Sequence, residues 1–157
     1  MIIKYYNKFI KNIWKGMVDM TFNEILQSIG VNPDAPEWSR AKTQLYVNLG
    51  IDTEKVDCLG GQAVRFTQKS IRGTVKIGER EGVVFEISSG LMIVCPAVDD
   101  MPLTILVDRK LIRIVEAESK LLKSCVTVKT NDELYEFKVP KKQVATLEKM
   151  INKVRNK

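Results

Sequence analysis

The chain has 157 residues, 45% of them hydrophobic and 28% charged; that suffices for one full hydrophobic core, whereas two independent domains would each be small enough to need staples. The net charge is +6 and histidine is absent, which excludes Ser-His-Asp and Cys-His catalysis, histidine-containing zinc sites and the usual acid-base residue of neutral-pH chemistry. No run approaches the roughly 18 uninterrupted apolar residues of a membrane span, so a soluble protein is expected.

The positive charge belongs to the two ends. Residues 1–19 carry +3 and residues 141–157 carry +5, leaving −2 for the body between them. Cys58, Cys95 and Cys125 are odd in number, widely spaced and without a C-x-x-C pair. A disulfide framework is not expected; Cys95 and Cys125, inside predicted strands, read as small buried hydrophobes and not as redox or metal groups, and a reducing, cytoplasmic location fits. No cofactor is expected, and no carboxylate pair has a distinctive catalytic spacing.

Residues 1–18 have the period of an amphipathic helix. Ile2 or Ile3, Tyr6, Phe9 or Ile10, Ile13 and Met17 form an apolar stripe, while Lys4, Lys8, Lys11 and Lys15 share another face. Lys4, Lys8, Phe9, Lys11, Trp14 and Lys15 are the candidate membrane or partner contacts. Four lysines at an anionic surface supply at most about 4 kcal/mol. Burial of four or five large apolar side chains on protein supplies roughly 6–12 kcal/mol. Packing on protein therefore wins on magnitude, with peripheral attachment at the inner face of a membrane as the alternative.

Thr21-Phe22-Asn23-Glu24 is a capping box that opens a short helix, buries Phe22, Ile25, Leu26 and Ile29, and ends at Gly30. A further helix is predicted over Pro36–Leu49, with Trp38, Ala41, Leu45 and Leu49 on one face and Gly50 as its stop. The pair has the outline of half a helix-turn-helix, but Arg40, Lys42 and Gln44 are its only base-reading candidates. A helical hairpin covering a sheet is the better account.

Residues 52–61 mark the passage from helices to sheet. Strands are predicted at 63–68 and 71–77, then at 82–87 and 91–95 around Ser88-Ser89-Gly90, with Gly78–Gly82 as a charged turn. Arg65, Lys69, Arg72 and Lys76 make this a basic stretch, and they are the candidates for an anionic ligand. More often such a row is a solvated face. After a loop holding Asp99-Asp100, further strands are expected at 103–107 and 111–115, or one long bent strand in their place. Two more follow at 125–129 and 135–139, joined by a turn at 130–133. In the last strand Tyr135, Phe137 and Val139 alternate with Glu136 and Lys138. Beyond Pro140 a helix is predicted to bury Val144, Leu147, Ile151 and Val154.

About seven strand-like runs followed by one helix, with Ile112-Arg113-Ile114-Val115, Val126-Thr127-Val128-Lys129-Thr130 and Tyr135-Glu136-Phe137-Lys138-Val139 leading into it, resemble bacterial pleckstrin-homology-like domains. The resemblance covers residues 61–157 and leaves residues 1–60 as a helical extension. It implies an α+β fold in which an antiparallel barrel or sandwich is plugged by its C-terminal helix. It also implies a binding or adaptor role without catalysis. Protein–protein contact is then the leading expectation and an anionic membrane surface the second. Nucleic-acid binding through Lys141, Lys142, Lys149, Lys153, Arg155 and Lys157 is the rival from another class, as is inhibition of a larger enzyme in the manner of small phage proteins. Against nucleic acid, aromatic residues make up only 7% and none is interleaved with basic ones.

Overall fold

The computed structural model describes residues 19–73, 76–97 and 100–156. The predicted helix over 1–18 and its six candidate contacts lie outside them. Two helices come first, α1 (Phe22–Ser28) and α2 (Pro36–Leu49). The capping box forms: the Glu24 amide donates to Thr21 Oγ1 at 3.1 Å and the Thr21 amide to Glu24 Oε1 at 3.2 Å, each satisfying an amide with no intrahelical partner. Pro36 starts α2, and Gly50 ends it with φ of 67°.

Seven strands follow: β1 (Cys58–Ser70), β2 (Lys76–Ile87), β3 (Gly90–Cys95), β4 (Leu103–Asp108), β5 (Ile114–Ser119), β6 (Ser124–Lys129) and β7 (Glu133–Lys138). They form one antiparallel sheet in the order β4-β3-β2-β1-β7-β6-β5. The sheet is not closed. A C-terminal helix, α3 (Val144–Arg155), completes the described chain.

The two faces of the sheet carry separate cores. On the inner face Val64, Phe66, Val84, Leu91, Ile93, Val126, Val128 and Phe137 pack against Val144, Leu147, Ile151 and Val154 of α3. On the outer face Val83, Phe85, Ile87, Met92 and Val94 pack against Phe22, Ile25 and Leu26 of α1 and Trp38, Ala41 and Leu45 of α2. The Phe22 ring stacks on Phe85 at 4.5 Å and meets Trp38 edge-on at 6.0 Å. Strands buried on both faces need unbroken apolar runs, which is why 83–87 and 91–95 are apolar almost throughout.

Four expectations are corrected in the first two hairpins. The strand predicted at 71–77 is a turn at 71–73 followed by the start of β2 at Lys76. Gly78–Gly82 is no turn: it runs through β2, where Arg65 lies opposite Glu81 and Phe66 opposite Arg80. Its polarity reflects a half-exposed strand. Gly60-Gly61 is already inside β1, and a Cβ on Gly61 would lie 2.4 Å from Ile25 Cγ2. The glycine therefore marks where α1 closes on the strand. The β2–β3 loop is two residues, Ser88-Ser89, with Gly90 opening β3 opposite Ile87; a Cβ there would meet the Val107 carbonyl oxygen at 2.0 Å.

The strand predicted at 111–115 is also displaced. Residues Arg109–Leu111 make a single 3-10 turn capped by Asp108, and β5 begins only at Ile114. The strand runs on past the predicted end at Val115 through Glu116 and Glu118, residues that an edge strand facing solvent accepts.

Candidate functional site

The strand pairings open a groove on the outer face. β1 pairs with β2 along its whole length but with β7 only from Arg65 onward. The gap left beside Ala63 and Val64 is walled on one side by Val31, Glu37 and Trp38 of the helical hairpin and on the other by Leu122, Val139 and Pro140. The groove holds about 1040 Å³.

Its floor carries both signs because outward-facing positions of adjacent strands come into register. Arg65 is flanked by Glu81 on β2 and Lys138 on β7. Lys138 Nζ lies 3.1 Å from Glu79 Oε1, and that contact raises its pKa above the ordinary lysine value. Lys123 Nζ lies 3.8 Å from Glu136 Oε2. Glu37, Glu81 and Glu136 face the same space as Arg65, Lys123 and Lys138. Such a surface suits a polypeptide carrying both signs better than a polyanion.

Three of the four anionic-ligand candidates lie together and the fourth, Arg65, stands apart. Lys69 and Lys76 are direct cross-strand partners at the far end of the β1–β2 hairpin, beside Arg72 in its turn, and all three are exposed. Arg65 stands four residues back on β1, about 13 Å away along the strand, and belongs to the groove. Arg40 and Lys42 of α2 are used within the fold: Arg40 Nη2 donates to the Ala97 carbonyl at 2.8 Å and Lys42 Nζ to the Pro33 carbonyl at 2.9 Å.

The three thiols are buried and unpaired with one another. Burial pushes Cys58 and Cys95 up to about 12 and raises Cys125 as well, so little thiolate, the reactive form, is present near neutral pH. Among the described residues no group of three or more acidic or cysteine side chains could hold a metal ion, and no helix is long and apolar enough to cross a membrane.

Sequence reasoning missed two features. Glu86, inside the apolar run of β2, is 3% exposed, and its Oε2 has no hydrogen-bond partner. Its counter-charge is Lys153 of α3, whose Nζ is 3.5 Å from Oε2. The second is Lys120-Leu121-Leu122-Lys123, a turn with two leucines where glycine, asparagine or aspartate is usual; that anomaly was readable in the sequence. No family model matches this chain, and no curated protein matches it.

Proposed function

We propose that the chain is a non-enzymatic binding module of pleckstrin-homology-like build that docks a protein partner along the outer-face groove. The observation that carries this reading is the groove itself: an open space of about 1040 Å³, with apolar side chains on both walls and charges of both signs across its floor. Apolar anchors beside paired charges match the composition of protein interfaces, where charge fixes register and partner choice more than affinity. The pleckstrin-homology-like part is supported by the strand order, which runs from β4 through β1 to β7 and β5, and by a last helix packed on the inner face. The non-enzymatic part is supported by the missing histidine and the protonated thiols.

Photo-crosslinking in the cell of origin tests the reading. A benzophenone amino acid at the exposed Ala63 position should trap a discrete partner, and one at Asp132, in the β6–β7 turn, should not. Arg65→Glu should abolish the adduct by placing a third carboxylate beside Glu81 and Glu136. Equal labelling from both positions, or an adduct indifferent to Arg65→Glu, would reject the groove as the docking surface.

A further inference from the structure

We infer that the β5–β6 turn is a membrane-inserting tip, with Leu121 and Leu122 entering an anionic bilayer while the surrounding lysines meet its headgroups. Leu122 and Lys123 also line the edge of the groove, but this inference rests on the apex they form with Lys120 and Leu121, and its test reads lipid and not a protein partner. The turn is tight: the Lys120 amide donates to the Lys123 carbonyl at 2.8 Å, so the two leucines occupy its apex. They are 92% and 97% exposed, the most exposed large apolar residues among those described. Nothing in the fold is gained by placing them there.

The surroundings select the occupant. Lys120 and Lys123 flank the leucines directly. Val139 is tied to the base of the turn, its amide donating to the Ser124 carbonyl at 3.3 Å and its own carbonyl accepting from Ser124 Oγ at 2.7 Å. The chain then leaves through Pro140 into the exposed Lys141 and Lys142, so four lysines gather at this end. The carboxylates of the strands below it stand back from the apex, Glu118 opposite Cys125 on β6 and Glu136 on β7, and Glu37 and Glu81 face the groove. Glu136 holds Lys123 only at 3.8 Å, and that lysine is half exposed, a surface pair weak enough to yield to a headgroup.

Leu121 lies outside the groove lining, and apart from the groove a convex apex of two side chains falls far short of the roughly 800 Å² per partner that a specific protein interface buries. A bilayer requires no shape complementarity. It accepts apolar side chains at its acyl boundary and favours lysines at an anionic surface.

The test uses the full chain carrying Leu122→Cys, labelled with a polarity-sensitive nitrobenzoxadiazole dye; the three native thiols are buried and stay unlabelled. On vesicles of equimolar phosphatidylcholine and phosphatidylglycerol the emission should brighten and shift to the blue. Phosphatidylcholine alone should leave it unchanged, as should moving the dye to Asp132→Cys. Leu121→Ser combined with Leu122→Ser, positions that contribute nothing to the core, should weaken vesicle binding about a hundredfold. Retained binding with an unshifted dye would assign membrane contact to another part of the chain and overturn the inference. So would a dye that shifts with protein concentration in the absence of lipid, which light scattering would identify as self-association through the tip.

Discussion

Glu86 places a carboxylate in the buried half of β2, among Val83, Val84, Phe85 and Ile87, and its environment explains how. Gly60 lies opposite it on β1, and a Cβ there would approach Glu86 Oε1 at 3.4 Å and Met150 Sδ at 3.6 Å. The carboxylate is thus enclosed by a glycine backbone, a methionine of α3 and the Lys153 ammonium at 3.5 Å. Lys153 is 48% exposed on its side chain and Glu86 only 4%, so water screens one end of the pair and not the other. Removing the lysine leaves a buried charge without compensation, whereas removing both charges removes the desolvation cost as well. Lys153→Met should therefore destabilise by about 1–3 kcal/mol. Adding Glu86→Leu should recover most of that loss. Urea titration of the two single variants and the double closes the cycle, and strictly additive losses would show that the two side chains do not interact.

At the scale of elements, the helical hairpin docks where β1 has no side chain in its way. Ile25 of α1 occupies the space a Cβ on Gly61 would take, at 2.4 Å. Gly61→Ala should cost about 1–3 kcal/mol by overpacking. Shortening the opposing side chain with Ile25→Val should relieve part of it, so that the double variant loses less than the sum of the two. Thermal denaturation measures the coupling; full additivity would mean that α1 simply shifts off the strand. The same elements show what sequence pattern can carry. The boundaries of α2 were legible because Pro36 and Gly50 are local signals with local causes, and the capping box at Thr21 and Glu24 needed nothing from the rest of the chain. The buried stripe of α3 was legible from its period. The β1–β2 hairpin was not, because Gly78-Glu79-Arg80-Glu81-Gly82 has the composition of a turn and becomes strand only through its partners, Arg65 opposite Glu81 among them. The groove depends on β1 parting from β7 at Arg65, a tertiary event that no window of sequence contains.

Across the whole molecule the two cores share β2 and β3, whose alternate residues point to opposite faces, and this bears on how the chain unfolds. Cys95 belongs to the inner core and Cys58 to the outer one. Burial pushes both thiols up to about 12 from an ordinary 9.0. The folded chain thus keeps protons that the unfolded chain releases above about pH 9. By linkage the contribution is intact below that pH and is lost as pH rises from 9 toward 12, by about 1.4 kcal/mol per pH unit for each thiol. Tyr135, raised by burial, and Lys138, raised by Glu79, act in the same direction. Urea midpoints measured from pH 8 to pH 10.5 should therefore fall steeply at the alkaline end. Cys58→Ala and Cys95→Ala should each flatten that slope, whatever either does to stability at pH 7. If the cores unfold as one cooperative unit, the two variants flatten it alike. If α1 and α2 lift off before the sheet opens, Cys58 is already ionised in the intermediate, and only Cys95→Ala changes the slope of the main transition. Two variants differing by one side chain on opposite faces of the same sheet thus decide whether the helical hairpin is part of the folding unit or a cover laid over it.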